Sequence, residues 1–188
     1  MTINMEFFDI VDENGNELGF KKERSEVHRD GDWHKGVHIW IIVGNKILLQ
    51  KRAPTKDTFP NVFSVSCAGH VESGEDYDET AIRELREELG IKVSIKELVF
   101  LERRRFITKD PERKIINREI VNAYLLKFTG NPKNLVLQKE EVSEIRLFEV
   151  NELKNLLKNN PNLFSPTVHL STNLLDKLKE FIENTLWH

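Results

Sequence analysis

The stretch "GHVESGEDYDETAIRELREELGI", Gly69 to Ile91, carries eight acidic side chains in 23 residues. Its second half has a helical pattern. Asp76 and Glu79 are placed for a capping box, and Gly90 for the left-handed position after the last turn. Wound at about 100° per residue, residues 77–89 put Ile82, Leu85 and Leu89 on one apolar face. Glu84, Glu87 and Glu88 lie on a stripe beside that face, not opposite it. Like charges at this spacing repel by roughly a few tenths of a kcal/mol per pair. A solvated acidic face is the ordinary reading of such a stripe. Two features count against it here: Arg83 and Arg86 could have been interleaved among the glutamates, and a Gly-containing loop, Gly69–Gly74, feeds directly into the helix. Clustered carboxylates beside loop carbonyls are what a hard divalent cation such as Mg²⁺ requires.

Working outward, the chain alternates strand-like runs with turn signals. "EFFDIVD" and "ELGFKKE" flank Asn14-Gly15, a hairpin turn, so residues 1–35 are expected to form a β-arm. "VHIWIIV" and "KILLQKR" make a second hairpin over Gly44-Asn45. "APTKDTFPNVF" reads as a loop and "SVSCA" as a short strand. After the acidic helix come two long strand-like runs, "KVSIKELVFLERRRFI" and "KIINREIVNAYLLKF", with "TKDPER" between them, and then "EIRLFEV". Helices are expected at about 152–158, capped by Asn151, and about 172–186, with Leu174, Leu175, Leu178, Phe181 and Ile182 on one face. The expected architecture is α/β, a mixed β-sheet sandwiched between helices. Residues 1–188 are read as a single domain: arm 1–35, core 36–150, C-terminal helices 151–188.

Bulk properties narrow the function. A chain of 188 residues can bury roughly 70% of its unfolded surface. The net charge of -3 gives no electrostatic case for nucleic acid or anionic membrane. No apolar run approaches the ~20 residues of a membrane span, and the start lacks a signal peptide pattern. The one cysteine, Cys67, fits a reducing cytosol, so a cytoplasmic location is expected.

The acidic segment resembles the Nudix box, G-x5-E-x7-R-E-U-x-E-E-x-G-U with U aliphatic. Gly69, Glu75, Arg83, Glu84, Leu85, Glu87, Glu88, Gly90 and Ile91 keep every spacing. Resemblance to the Nudix hydrolases implies an α/β/α sandwich. It implies that Glu84, Glu87 and Glu88 bind Mg²⁺ or Mn²⁺, helped by the Gly69 carbonyl, while Arg83 and Glu75 pair to hold loop against helix. The substrate would be a small-molecule diphosphate, typically a nucleoside diphosphate derivative, attacked by water at phosphorus.

"EVHRDGDWHKGVHIWI", "LLQKRAPTKDTFPNVFSVSCAGH" and "FSP" further resemble the isopentenyl-diphosphate isomerase-like branch of that superfamily. The isomerase metal histidines match His28, His34 and His70, and a strand glutamate matches Glu119. Its acidic partner is here Asn117, the isomerase cysteine is here Ala68, and the aromatic that steadies the carbocation is here Asn162. The acid/base pair of an isomerase is therefore missing while the hydrolase cluster is complete. Hydrolysis is the favoured expectation, with isomerisation and a non-catalytic binding module as the alternatives.

Further candidates follow. His28, His34, His38 and His70 are read as substrate contacts, although His38 alternates with Trp40 and Ile42 and so could be packed. Glu119 shares a strand face with Val121, Ala123 and Leu125, where a carboxylate needs a partner or a metal. It is read as metal ligand or general base, alongside Glu87 and Glu88. The rival base lies in "QKEEVSEI", at Glu141 or Glu144. Arg52, at a strand end, is a candidate phosphate contact. Arg103, Arg104 and Arg105 are read as surface residues. The β-arm could exchange across a homodimer.

Overall fold

A computed structural model describes residues 5–185. Among them one sheet joins β1 (Phe7–Val11), β2 (Glu17–Glu23), β3 (Trp33–Val43), β4 (Lys46–Arg52), β5 (Phe63–Ser64), β6 (Cys67–His70), β7 (Leu98–Asp110), β8 (Ile115–Lys127) and β9 (Val142–Phe148). The helices are α1 (Arg24–Asp30), α2 (Tyr77–Leu89), α3 (Val150–Asn159), α4 (Pro166–His169) and α5 (Thr172–Thr185).

β3 is the hub. It runs antiparallel to β4 and β6 and parallel to β8, so the sheet is mixed. Its residues are buried on both faces, which is why the strand reads as a nearly continuous apolar run. Val37, Ile39 and Ile41 pack with Leu85 and Leu89 of α2. Trp40 and Ile42 pack on the opposite side with Leu153 and Leu157 of α3 and Leu174 and Leu178 of α5. Helices on both faces make an α/β/α sandwich. No helix among the described residues is long and apolar enough to cross a membrane.

The structure revises several local expectations. Residues 1–35 are not purely a β-arm, because α1 follows the β1–β2 hairpin. A seven-residue helix with one buried residue, Val27, is too short to show a periodicity. It forms because Val27 packs onto Phe8 and Ile10 and Gly31 ends it in a left-handed conformation, φ 71°. The boundary expected at 35/36 falls inside β3. β1 pairs with β3 of its own chain through Val11 and Trp33. "SVSCA" splits into β5 and β6. Residues 92–97 are not strand, since β7 begins at Leu98 after a short 3₁₀ turn. Glu149, not Asn151, precedes α3. The core face of α2 is Ala81, Leu85 and Leu89, with Ile82 only half-buried. Phe181 is 39% exposed at the edge of the α5 face. Leu186 lies outside the described residues.

Candidate active site

The acidic helix starts as its sequence requires. Asp76 accepts from the Asp78 and Glu79 amides, Glu79 accepts from the Asp76 amide, and Gly90 closes the far end at φ 68°. Gly69, at the end of β6, is forced by closeness: a Cβ there would lie 2.0 Å from Glu84 Oε1. Arg83 bonds Glu75 at 2.9 Å and also reaches Glu84 at 2.8 Å, Glu87 at 3.3 Å and the His70 carbonyl at 3.2 Å. Arg83 is thus interleaved after all, and it gathers three box carboxylates. Burial opposes its charge, but those carboxylates raise its pKa further above the usual value.

A cleft of about 380 Å³ opens beside this helix. Glu84, Glu87, Glu88, Gly69, Glu119, Glu141, Arg52, His28, His38 and His70, all candidates from the sequence, line it. His34 is not in its wall and is fully buried, so it cannot touch a substrate in this arrangement. Glu144 pairs with Arg146 at the surface, which leaves Glu141 as the cleft-lining acid of that loop. Arg103, Arg104 and Arg105 bond Asn122, the Leu170 carbonyl and the Glu13 carbonyl respectively, so all three serve as ties between elements.

Three participants escaped the sequence reading. Arg24 and Lys56 line the cleft beside Arg52, and Lys56 is ion-paired with Glu141. Arg24 stands four residues before His28 on α1, a spacing legible only once that segment is known to be helical. Gln50 donates to Glu88 Oε2 at 2.9 Å. Its place between Leu48 and Arg52, alternating along β4, was the available signal. Arg52 grips the Thr58 and Phe59 carbonyls and so shapes the loop above the cleft.

Electrostatics divide the site into two groups. Burial, followed by the Glu88 charge, pushes Glu84 up to about 8. Burial pushes Glu88 up to about 7. The second group is His28, His34 and His70, whose ring nitrogens approach within 4.8 Å of one another. His70 Nε2 lies 3.6 Å from Glu119 Oε1. Glu119 Oε2 accepts from Asn117 at 2.7 Å, and burial raises Glu119 to about 7. Burial lowers His28 to about 4, His34 to about 3 and His70 well below its usual value, so all three imidazoles are neutral at pH 7.

These groups fit a divalent cation. His34 Nδ1 faces the Asp32 carbonyl at 3.1 Å, which assigns the proton to Nδ1 and leaves Nε2 as a bare lone pair. That Nε2 and the Nε2 of His28 are buried without a hydrogen-bond partner. Neutral imidazoles beside a carboxylate suit transition-metal ions, while the all-oxygen set of α2 suits Mg²⁺ or Mn²⁺.

The N-terminal strand braces the acidic loop. Asp9 accepts from Ser73 Oγ at 2.8 Å and the Gly74 amide at 3.1 Å, and the Phe7 carbonyl accepts from the Ser73 amide at 2.7 Å. Asp9→Ala should cost about 1–2 kcal/mol of stability and raise the Mg²⁺ concentration needed for half-maximal activity. Denaturant titration and a Mg²⁺ titration of turnover check this, and two unchanged midpoints would show that the brace is idle.

A family model for the NUDIX domain matches residues 32–168. The chain is 38% identical over 168 residues to Nudix hydrolase 3 of Arabidopsis thaliana, covering 86% of this chain but only 21% of that protein. It therefore spans about a fifth of that relative's length. It is 39% identical to an uncharacterised Nudix hydrolase of Clostridium acetobutylicum, over 82% of this chain and 75% of that one. An isopentenyl-diphosphate Delta-isomerase of Cereibacter sphaeroides is 29% identical, over 79% and 81%. Among solved structures, a Deinococcus radiodurans protein superposes with a TM-score of 0.66 at 21% identity, over 92% of this chain and 99% of that one.

Proposed function

The chain belongs to the NUDIX domain family, and from that premise we propose that it hydrolyses a diphosphate linkage in a nucleoside diphosphate derivative or related organic pyrophosphate, with Mg²⁺ or Mn²⁺. The observation that carries this reading is one cleft lined both by Glu84, Glu87 and Glu88 and by Arg24, Arg52 and Lys56. The glutamates would hold the cation, and the three basic groups would take the phosphate oxygens. When bound, the metal would neutralise charge developing on the phosphoryl group.

The protein's own part is to position groups and accept a proton. Glu119 has one oxygen fixed by Asn117, while Oε1 faces His70. That oxygen is placed to complete a histidine-held cation site or to take the proton of the attacking water. A carboxyl raised to about 7 is matched to proton transfer near neutral pH. Glu141, held by Lys56, is the second candidate base.

A second reading, isomerisation of isopentenyl diphosphate, draws on the histidine cluster and Glu119. Against it, Ala68 lines the cleft where the isomerase has cysteine, and Cys67 packs behind it in the α2-side core. The test is to incubate the protein with Mg²⁺ or Mn²⁺ and a panel of nucleoside diphosphate derivatives and isopentenyl diphosphate, reading phosphate release and isomer formation. Phosphate release without isomer is expected. Isomer without hydrolysis would reject the hydrolase reading, and tight binding without turnover would favour a non-catalytic module.

A further inference from the structure

Part of the buried cleft wall is polar yet neutral, and its hydrogen-bonding capacity is unspent. His38 is 3% exposed and faces Phe106 edge-on, with ring centroids 5.0 Å apart. It sits opposite Ala68 in the β3–β6 register. Neither His38 ring nitrogen has a hydrogen-bond partner among the described residues, and Nδ1 is sealed from solvent. A neutral imidazole carries one N–H and one lone pair, so both are unmet. Ser64 and Ser165, 4% and 2% exposed, line the same cleft. The Ser64 and Ser165 hydroxyls share one hydrogen bond at 3.0 Å, which leaves one hydroxyl proton of the pair without an acceptor. Thr167 adds a third hydroxyl.

We propose that this wall is a recognition subsite for a compact, hydroxyl-bearing group attached to the diphosphate, with His38 as the specificity-determining residue. An alkyl group would fill the same space but leave the imidazole and that hydroxyl proton unpaired. Sites built to bond hydroxyls reject analogues that lack them far more strongly than apolar pockets reject added ones. Phe106 and Ala68 supply an apolar surface for the carbon face of a sugar or polyol, while His38 and the hydroxyls meet its oxygens. The inference rests on the diphosphate reading of the cleft for its anchor, but not on hydrolysis.

The test uses ligands that cannot be cleaved, so that it is separate from turnover. Methylene-bridged diphosphonate esters of ribose, attached through O5, and of pentan-1-ol are titrated into the whole protein with Mg²⁺ by calorimetry. The ribosyl compound should bind about tenfold or more tighter. His38→Phe should abolish that preference, His38→Gln should keep most of it, and Ser64→Ala should reduce it. Equal affinities in the unaltered protein overturn the proposal, as does a preference that survives His38→Phe. If His38→Phe fails to fold, the Gln and Ser64 variants still decide it. Absence of phosphate release in the earlier assay would reject the hydrolase reading and leave this result standing.

Discussion

Replacing Glu88 with Gln should lower metal-dependent phosphate release by on the order of 10³-fold without unfolding the protein. Glu88 is 4% exposed, the most buried of the α2 box glutamates. Its Oε2 already accepts from Gln50, and a glutamine amide oxygen can take over that bond. The substitution therefore preserves shape and the Gln50 bond while removing the negative charge. Burial lifts the Glu88 carboxyl from 4.5 to about 7. In the metal-free protein it thus holds a proton that the unfolded chain releases above pH 4.5. Stability contributed by this group falls as pH rises from 4.5 to about 7. A cation restores what ionisation costs, and the glutamine variant avoids the cost while losing the cation. The expected pair of results is activity lost and the metal-free melting temperature above pH 7 equal or higher. Turnover in Mg²⁺ and thermal melts in chelator check both halves. Full activity in the variant would sink the metal assignment.

Much of this site was legible because it is local in sequence. The box spans one loop and one helix, so helical pitch alone places Glu84, Glu87 and Glu88 together, and the caps Asp76 and Gly90 follow from rules about helix ends. Alternation along β8 likewise put Glu119 on the face of Val121, Ala123 and Leu125, and the structure buries all four. What failed was non-local or too short to be periodic. α1 is fixed by one cluster, Val27 on Phe8 and Ile10, so Arg24 was hidden in a segment read as β-arm. The four histidines read as one group, yet the β3 register separates them. His34 is level with Glu119, whereas His38 is level with Ala68 and contacts Phe106. Arg83 was assigned one partner by motif and has four, because its guanidinium spans loop and helix at once.

Glu119→Gln should change stability in opposite directions depending on whether a transition-metal ion is present. Glu119 is 5% exposed, and its nearest cationic candidate, His70, is held neutral by burial. A Cβ on Gly36 would lie 2.3 Å from Glu119 Oε1, so the glycine makes the room that the carboxyl occupies against β3. Burial raises it from 4.5 to about 7, with the Asn117 amide offsetting part of that rise. Below pH 4.5 the carboxyl is protonated in both folded and unfolded chains and contributes no pH dependence. Between 4.5 and about 7 the folded protein binds the extra proton, so the unaltered protein loses stability relative to the glutamine variant as pH rises. The full difference is on the order of 3 kcal/mol by pH 8 in chelator. The histidines drive the reverse trend below pH 6.5, since their folded pKa values are lowered. They do so equally in both proteins, so the comparison between variants cancels them. With saturating Mn²⁺ the order should invert. The carboxylate and the bare Nε2 atoms of His28 and His34 would then hold the ion, whereas the amide would be a poorer ligand. Denaturant midpoints of the two proteins at pH 5 and pH 8, with chelator and with Mn²⁺, test this directly. A difference that ignores both pH and metal would mean that Glu119 is an ordinary hydrogen-bonded side chain and that the histidine cluster holds no ion.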